Sequence, residues 1–150
     1  MNLIHHPRRY LLDIFVGILL ASLLVFGSLY IYQLNNDARD QQLDSALAMQ
    51  GQQYSNDLGC VACHTVDGSP GIGPSWVNMW GRTETVLAQR EQLSVVVNEA
   101  YIRESIQAPA AKVVKDYPNV MTPYFLEEPQ TTALIAYIKA LGKPQNPASP

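Results

Sequence analysis

The strongest chemical signal in the sequence is a run of five residues, Cys60-Val61-Ala62-Cys63-His64. This run has the form C-x-x-C-H, which is the attachment signature of c-type haem. Two thiols at this spacing can form thioethers to the two vinyl groups on one edge of a porphyrin. The adjacent histidine then lies under the iron as its proximal ligand. The motif therefore predicts one covalent haem c, attached through Cys60 and Cys63, with His64 bound to the iron.

Two closely spaced cysteines could also belong to a zinc site or a redox-active dithiol, or the pattern could occur by chance. The zinc site and the dithiol each require features that this sequence lacks. A structural zinc site needs two further Cys or His ligands, and the only other histidines are His5 and His6, before the apolar segment described below. A thioredoxin-like dithiol requires a βαβ setting, whereas the patterns that follow are mainly helical. Signatures of phosphate-binding loops, dinucleotide folds, zinc proteases and serine esterases are absent.

The second axial position of the iron is either filled by another side chain or left open. The donors available are Met49, Met79, Met121 and, more remotely, Lys112 and Lys115. Met49 precedes the motif, and Met79 lies between Trp76 and Trp80 in a segment typical of pocket packing. Met121 lies in a proline-bracketed loop between two predicted helices, from which a thioether can reach the opposite haem face. We therefore expect Met121 as the second ligand and Trp80 in the haem pocket.

An apolar segment precedes these residues. Nineteen residues from Ile14 to Tyr32 carry no charge, and as a helix they would span about 28 Å, close to the ~30 Å hydrocarbon core of a bilayer. Arg8 and Arg9 precede the segment, so the positive-inside rule predicts a single pass through the bacterial cytoplasmic membrane with a cytoplasmic N-terminus and the remainder on the outer face. The predicted divisions are a cytoplasmic tail (1–9), a transmembrane anchor (10–34), a linker (35–45), a haem-binding domain (46–142) and a flexible tail (143–150). The polar residues 35–45 could also be the exposed end of a helix.

A cleaved signal peptide is the alternative interpretation of this segment. Its apolar stretch normally covers about 7–15 residues and is followed directly by small residues at the cleavage site. The A-x-A run at Ala46-Leu47-Ala48 begins fourteen residues beyond Tyr32, which is too far for an ordinary site. The sequence therefore favours a retained anchor.

Three amphipathic helices are predicted after the anchor. The first is capped by Asp44 or Ser45, the second is capped by Asn98, and the third has Pro129 at its first position and Gly142 as its stop. Residues 83–87 and 93–97 have the composition of a hairpin, but the segment between them lacks the Gly or Asn of a tight turn. The predicted fold class is therefore all-α, with three to four helices around the haem.

The charge balance excludes some classes of partner. Hydrophobic residues make up 47% of the chain and charged residues 15%, with a net charge of −3, which excludes disorder and argues against nucleic-acid binding. Residues 37–150 hold eight Lys or Arg and twelve Asp or Glu, a net charge of −4. A freely diffusing electron donor that docks through a ring of basic residues would not be expected to carry this negative net charge. The charge therefore favours a fixed complex or a basic partner.

Several segments together resemble class I cytochrome c over roughly residues 46–142: Gly51-x-x-Tyr54, CVACH, Gly73-Pro74, the methionine loop and a last helix reading LIAYIKAL. The segments GPSWVNMWGR, YIRESIQAP and YPNVM are more similar to cytochrome c domains attached to membrane respiratory complexes. These include the C-terminal domain of subunit II in caa3-type oxidases and the monohaem subunit of alternative complex III. Two departures are that Thr122 separates Met121 from Pro123, and that the copper-binding Cys and His set of an oxidase subunit II is absent.

The resemblance carries expectations for single residues. It implies that the Pro74 carbonyl accepts a hydrogen bond from the His64 ring. It also implies that Gly51 and Tyr54 pack against Tyr137 where the first and last helices cross. Arg82 is a further candidate, either as a partner of a haem propionate in the pocket or as a solvated surface residue.

The expected function is one-electron transfer rather than enzymatic catalysis. The resemblance implies a membrane-bound subunit that relays electrons between a quinol-oxidising complex and a haem–copper terminal oxidase. A stand-alone tethered shuttle, a five-coordinate haem sensor or peroxidase, and an assembly subunit that carries haem are the alternatives.

Overall fold

The computed structural model describes residues 7–142, so His5, His6 and the predicted tail 143–150 lie outside the described residues. The chain divides into two units, with the boundary between Gln42 and Leu43. The elements are α1 (Pro7–Asp57), β1 (Thr83–Ala88), β2 (Glu91–Val96), α2 (Glu99–Gln107), β3 (Val113–Val114) and α3 (Glu128–Ala140), with short 3-10 turns at Cys60–Ala62 and Pro109–Ala111.

Helix α1 distinguishes the two interpretations of residues 35–45, which are part of a helix, and it corrects the prediction that a new helix begins after them. The segment is helical, and α1 does not restart at Asp44 or Ser45. The physical reason is composition, because no Gly or Pro occurs between Gly27 and Gly51 and the intervening residues are mostly good helix formers. The polar stretch at 35–45 therefore does not interrupt the helix.

The N-terminal part of α1 carries exposed apolar side chains, including Phe15, Leu24 and Phe26. Within the described residues, α1 is the one helix long and apolar enough to cross a membrane, judged by length and composition. This agrees with the predicted single span. Its orientation stays a prediction.

Helices α2 and α3 begin as their sequences predict. The Asn98 side chain accepts a hydrogen bond from the Tyr101 backbone N–H at 2.9 Å, which confirms the predicted cap of α2. Helix α3 is capped by Glu127 in a capping box with Gln130. Pro129 is the second residue of α3 rather than the first. Its missing backbone N–H is still harmless there, because N–H groups in the first turn of a helix have no intrahelical acceptor.

A small antiparallel sheet of order β2-β1-β3 corrects the all-α prediction. Strands β1 and β2 pair in register from Thr83 with Val96 to Ala88 with Glu91, around a two-residue turn. Both turn residues, Gln89 (φ 50°) and Arg90 (φ 73°), adopt left-handed backbone conformations, as a type I′ turn requires. The turn thus forms without Gly or Asn, and pairing of β1 with β3 extends the sheet.

The core of the second unit lies between the sheet and the helices. Its buried members are Trp76, Met79, Val86, Val97, Tyr101, Ile102, Ile135, Tyr137 and Ile138. Helix α1 meets α3 at Gly51, where a Cβ would lie 2.0 Å from the Ala133 carbonyl oxygen and 2.8 Å from the Tyr137 Cβ. This is the crossing that the resemblance implied for Gly51 and Tyr137.

Candidate haem site

A tight turn directly after α1 presents the C-x-x-C-H motif. Gly59 adopts a left-handed conformation (φ 75°) and precedes the 3-10 turn at Cys60–Ala62. The backbone N–H groups of Cys63 and His64 both donate to the Cys60 carbonyl, at 3.2 and 3.0 Å. Local hydrogen bonds therefore bring both thiols and the imidazole to one short turn.

The His64 ring has a defined protonation pattern. Its Nδ1 lies 2.8 Å from the Pro74 carbonyl oxygen, and because a carbonyl only accepts, Nδ1 donates the proton and Nε2 holds the lone pair. Burial lowers the pKa of His64 below its ordinary value, while the hydrogen bond to Pro74 acts in the opposite direction. The neutral imidazole has its Nε2 lone pair available for a metal, with Pro74 as the partner that orients the ring.

Two further contacts hold the imidazole. A Cβ at Gly73 would lie 2.6 Å from His64 Cε1, so the ring packs directly against the glycine backbone. The Gly73 N–H also donates to the Cys63 carbonyl at 2.9 Å, which returns the loop to the motif. Trp76 stacks on the imidazole with ring centroids 5.2 Å apart and planes inclined by 18°. Trp76 in turn meets the Tyr137 ring edge-on at 6.2 Å.

An open, mostly apolar cleft of about 230 Å³ lies beside this turn. Cys60, Cys63 and His64 line it, and so does Met121 from the loop before α3. Apolar side chains from several elements complete its walls, among them Met79, Ile102, Ile106, Val114, Leu134 and Ile138. The structure therefore brings together the four residues that the sequence nominated for haem attachment and ligation.

The candidate donors differ in their access to the cleft. Met121 lines it with 36% of its surface exposed, whereas Met79 lines it from the core and is only 6% exposed. Met49 is 72% exposed on α1 and does not line the cleft. Lys112 lines the cleft but its ammonium is paired with Glu104 at 2.6 Å. Lys115 is not a lining residue in the described part of the chain. Met121 thus has the thioether that is both in the cleft and outside the packed core.

Two predicted pocket residues lie elsewhere. Trp80 does not line the cleft, because it packs beneath the Lys139 ammonium at 4.4 Å from its ring centre. Arg82 does not line it either, since its guanidinium pairs with Glu84 on the adjacent strand β1. The tryptophan that contacts the site is Trp76, four residues earlier.

The residues present fit a covalently attached haem. Two cysteines and a neutral histidine share one turn, a thioether lies in the same cleft, and a Cβ at Gly73 would intrude on the imidazole. The sequence model of the cytochrome c family matches residues 48–142. The chain belongs to the cytochrome c family. It is a class I cytochrome c with covalently bound haem c, and its activity is electron transfer.

One curated relative of this cytochrome is a cytochrome c oxidase subunit 2 from Alkalihalophilus pseudofirmus. The two proteins are 30% identical over 105 residues, which cover 69% of this chain. The aligned part covers only 28% of the relative. The similarity therefore concerns a minor part of that subunit.

Sequence patterns did not reveal every residue at the site. Trp76 was considered with Trp80, but nothing in their spacing indicates which of them stacks on the histidine. Lys112 and Glu104 are eight residues apart across a helix end and a 3-10 turn. No periodic pattern links such a pair, so the pairing of Lys112, which lines the cleft, with Glu104 became evident only from the structure.

Proposed function

We propose that this cytochrome is a membrane-tethered one-electron relay whose iron is ligated by His64 and Met121 and which serves in a respiratory complex. The observation that carries the proposal is that both of these side chains, together with Cys60 and Cys63, line one cleft. If both His64 and Met121 held the iron of a bound haem, no position would remain open for dioxygen, peroxide or a gas. Such a centre performs electron transfer and not substrate chemistry.

The side chains of the chain itself have separate tasks. Cys60 and Cys63 hold the cofactor covalently, and the Pro74 carbonyl keeps the His64 ring oriented through the 2.8 Å hydrogen bond. Met121 supplies a thioether, and the apolar walls exclude water from the centre of the cleft. The bound haem supplies a single-electron Fe(III)/Fe(II) couple, which thioether ligation and burial shift to a higher reduction potential.

The apolar part of α1 supports the membrane component of the proposal. We place α1 as a retained single-pass anchor with the N-terminus in the bacterial cytoplasm and the haem domain outside, on the basis of Arg8 and Arg9. Tethering raises the effective concentration of the haem domain near membrane partners without any new contact. The relation to an oxidase subunit 2 supports a role between quinol oxidation and a terminal oxidase.

Visible spectroscopy of the full chain with and without carbon monoxide tests the ligation. The wild-type protein is expected to give a reduced low-spin c-type spectrum that carbon monoxide leaves unchanged. Met121→Ala is expected to open the iron and bind carbon monoxide. Met49→Ala is the matched control, because Met49 is an exposed methionine outside the cleft. Carbon monoxide binding by the wild-type protein would replace the relay with a five-coordinate sensor or peroxidase.

Isolation from native membranes in a mild detergent tests the role in a complex. The haem is expected to co-migrate with a quinol-oxidising complex or a haem–copper oxidase, and to become reduced when quinol is added to the isolated assembly. Recovery of the cytochrome alone, with reduction only through added partners, would indicate a stand-alone tethered shuttle.

A further inference from the structure

Lys112 is distinctive among the residues around the cleft. Within the described residues that line it, Lys112 is the only side chain with a permanent charge, and most of the others are apolar. It lies between the 3-10 turn Pro109–Ala111 and strand β3, at a wall that also contains the hydroxyl-bearing residues Tyr101 and Ser105. We refer to Lys112, Tyr101 and Ser105 together as the polar corner of the cleft, although Tyr117, Asn119, Thr122 and Tyr124 also line it.

The cofactor has two carboxylate side chains, its propionates, which need partners wherever they leave bulk water. A carboxylate that is partly buried without a donor incurs a large desolvation cost. An ammonium has three N–H donors and no acceptor, and charge-assisted hydrogen bonds to a carboxylate are among the stronger ones. The chemistry of the polar corner thus matches a carboxylate.

Glu104 explains how Lys112 can be held at this wall. Its Oε2 accepts from the Lys112 Nζ at 2.6 Å. The two side chains are 33% and 38% exposed. Lys112 lines the cleft, whereas Glu104 does not and lies with Lys112 at a second depression beside β2 and α2. One donor of Lys112 is used by Glu104, which leaves two N–H groups of the ammonium for a second carboxylate.

We infer that Lys112, positioned by Glu104, binds a haem propionate, the role that the sequence had offered to Arg82. The inference rests on the proposed occupation of this cleft by the haem. A positive charge at the propionate favours the reduced haem, and the neighbouring Glu104 carboxylate opposes it. The two side chains therefore shift the reduction potential in opposite directions.

Spectroelectrochemical titration of the full-length, detergent-solubilised protein tests the inference. Lys112→Gln is expected to lower the ratio of reduced to oxidised haem at a fixed potential at least threefold, or about 28 mV at 59 mV per tenfold for one electron. Glu104→Gln is expected to raise the ratio, and Lys112→Arg to stay near wild type. Lys115→Gln is the matched control. It removes the same charge only three positions further along the chain, from a residue that does not line the cleft.

Redox-difference infrared spectra supply a second readout. Lys112→Gln is expected to shift the carboxylate stretching bands, and Lys115→Gln is expected to leave them in place. Equal potential shifts in Lys112→Gln and Lys115→Gln, with unchanged carboxylate bands, would overturn the inference. A low-spin spectrum insensitive to carbon monoxide would in that case still support the proposed function. A wild-type protein that holds no haem would overturn both.

Discussion

The crossing of α1 and α3 gives the sharpest prediction, the effect of Gly51→Ala. A Cβ built at Gly51 lies 2.0 Å from the Ala133 carbonyl oxygen, 2.5 Å from the carbonyl carbon and 2.8 Å from the Tyr137 Cβ. Two of these three atoms are backbone, so no side-chain rotation can make room. The helices must move apart by about 1 Å or more to restore van der Waals contact at about 3.5 Å.

Two terms of opposite sign decide the size of the effect. Replacing Gly by Ala inside a helix gains about 0.8–1.0 kcal/mol in helix propensity. Overpacking a well-packed core costs about 1–3 kcal/mol and occasionally more, and the overlap with backbone places this site at the upper end. We expect a net loss of about 2 kcal/mol, or a fall in Tm of about 8–16 °C for a domain of this size.

Thermal unfolding of the holoprotein, followed by circular dichroism, measures this loss. Gly27→Ala provides the control, since it is the same substitution in the same helix and a Cβ there meets nothing within 4 Å. A Gly51→Ala protein that melts at or above the wild-type temperature would refute the close crossing, because the propensity gain would then be the only term present.

Three further variants test separate contacts. Gly73→Ala should reduce the yield of correctly ligated holoprotein, measured by its absorption spectrum, because the new Cβ would lie 2.6 Å from the His64 ring. Asn98→Ala should lower the free energy of unfolding by about 1 kcal/mol in denaturant titration, through loss of the cap of α2, and an unchanged midpoint would contradict that. Tyr124→Phe removes a 3.0 Å hydrogen bond to the Leu58 carbonyl just after α1, and should lower the free energy of unfolding by about 0.5–1.5 kcal/mol. Carbon monoxide binding to the haem should increase, because the loop that carries Met121 is held less firmly.

The parts of this structure that could be predicted from sequence depend on neighbours in sequence. The C-x-x-C-H turn is closed by hydrogen bonds within five residues, and the Asn98 cap needs only the N–H three positions later. In each case the determining contact is local or periodic, so the pattern is visible in the sequence.

The errors have the opposite cause. The polar stretch at 35–45 was interpreted as a linker or the exposed end of a helix, because polarity does not distinguish the two, and the absence of Gly and Pro is compatible with the continuous helix observed. The hairpin turn at Gln89 and Arg90 adopts a conformation that these residue types disfavour, and the strand pairing on either side outweighs the turn preference. The position of Arg82 could not be predicted either, since a propionate partner and a solvated surface residue were both open and only the structure shows its pairing with Glu84 on β1.

The two expected iron ligands are positioned by different kinds of contact, and this has a consequence for function. His64 is held by groups within about a dozen residues of itself, namely Cys60, Pro74 and Trp76. Met121 belongs to a loop whose nearby Tyr124 hydrogen-bonds to α2 and to the chain just after α1, contacts that require the assembled domain. Because local contacts survive partial opening better than long-range ones, perturbations of the fold should release the Met121 side first. Loss of the thioether, detected by carbon monoxide, should therefore precede loss of the histidine in variants such as Gly51→Ala, whose new contacts lie away from the His64 ring.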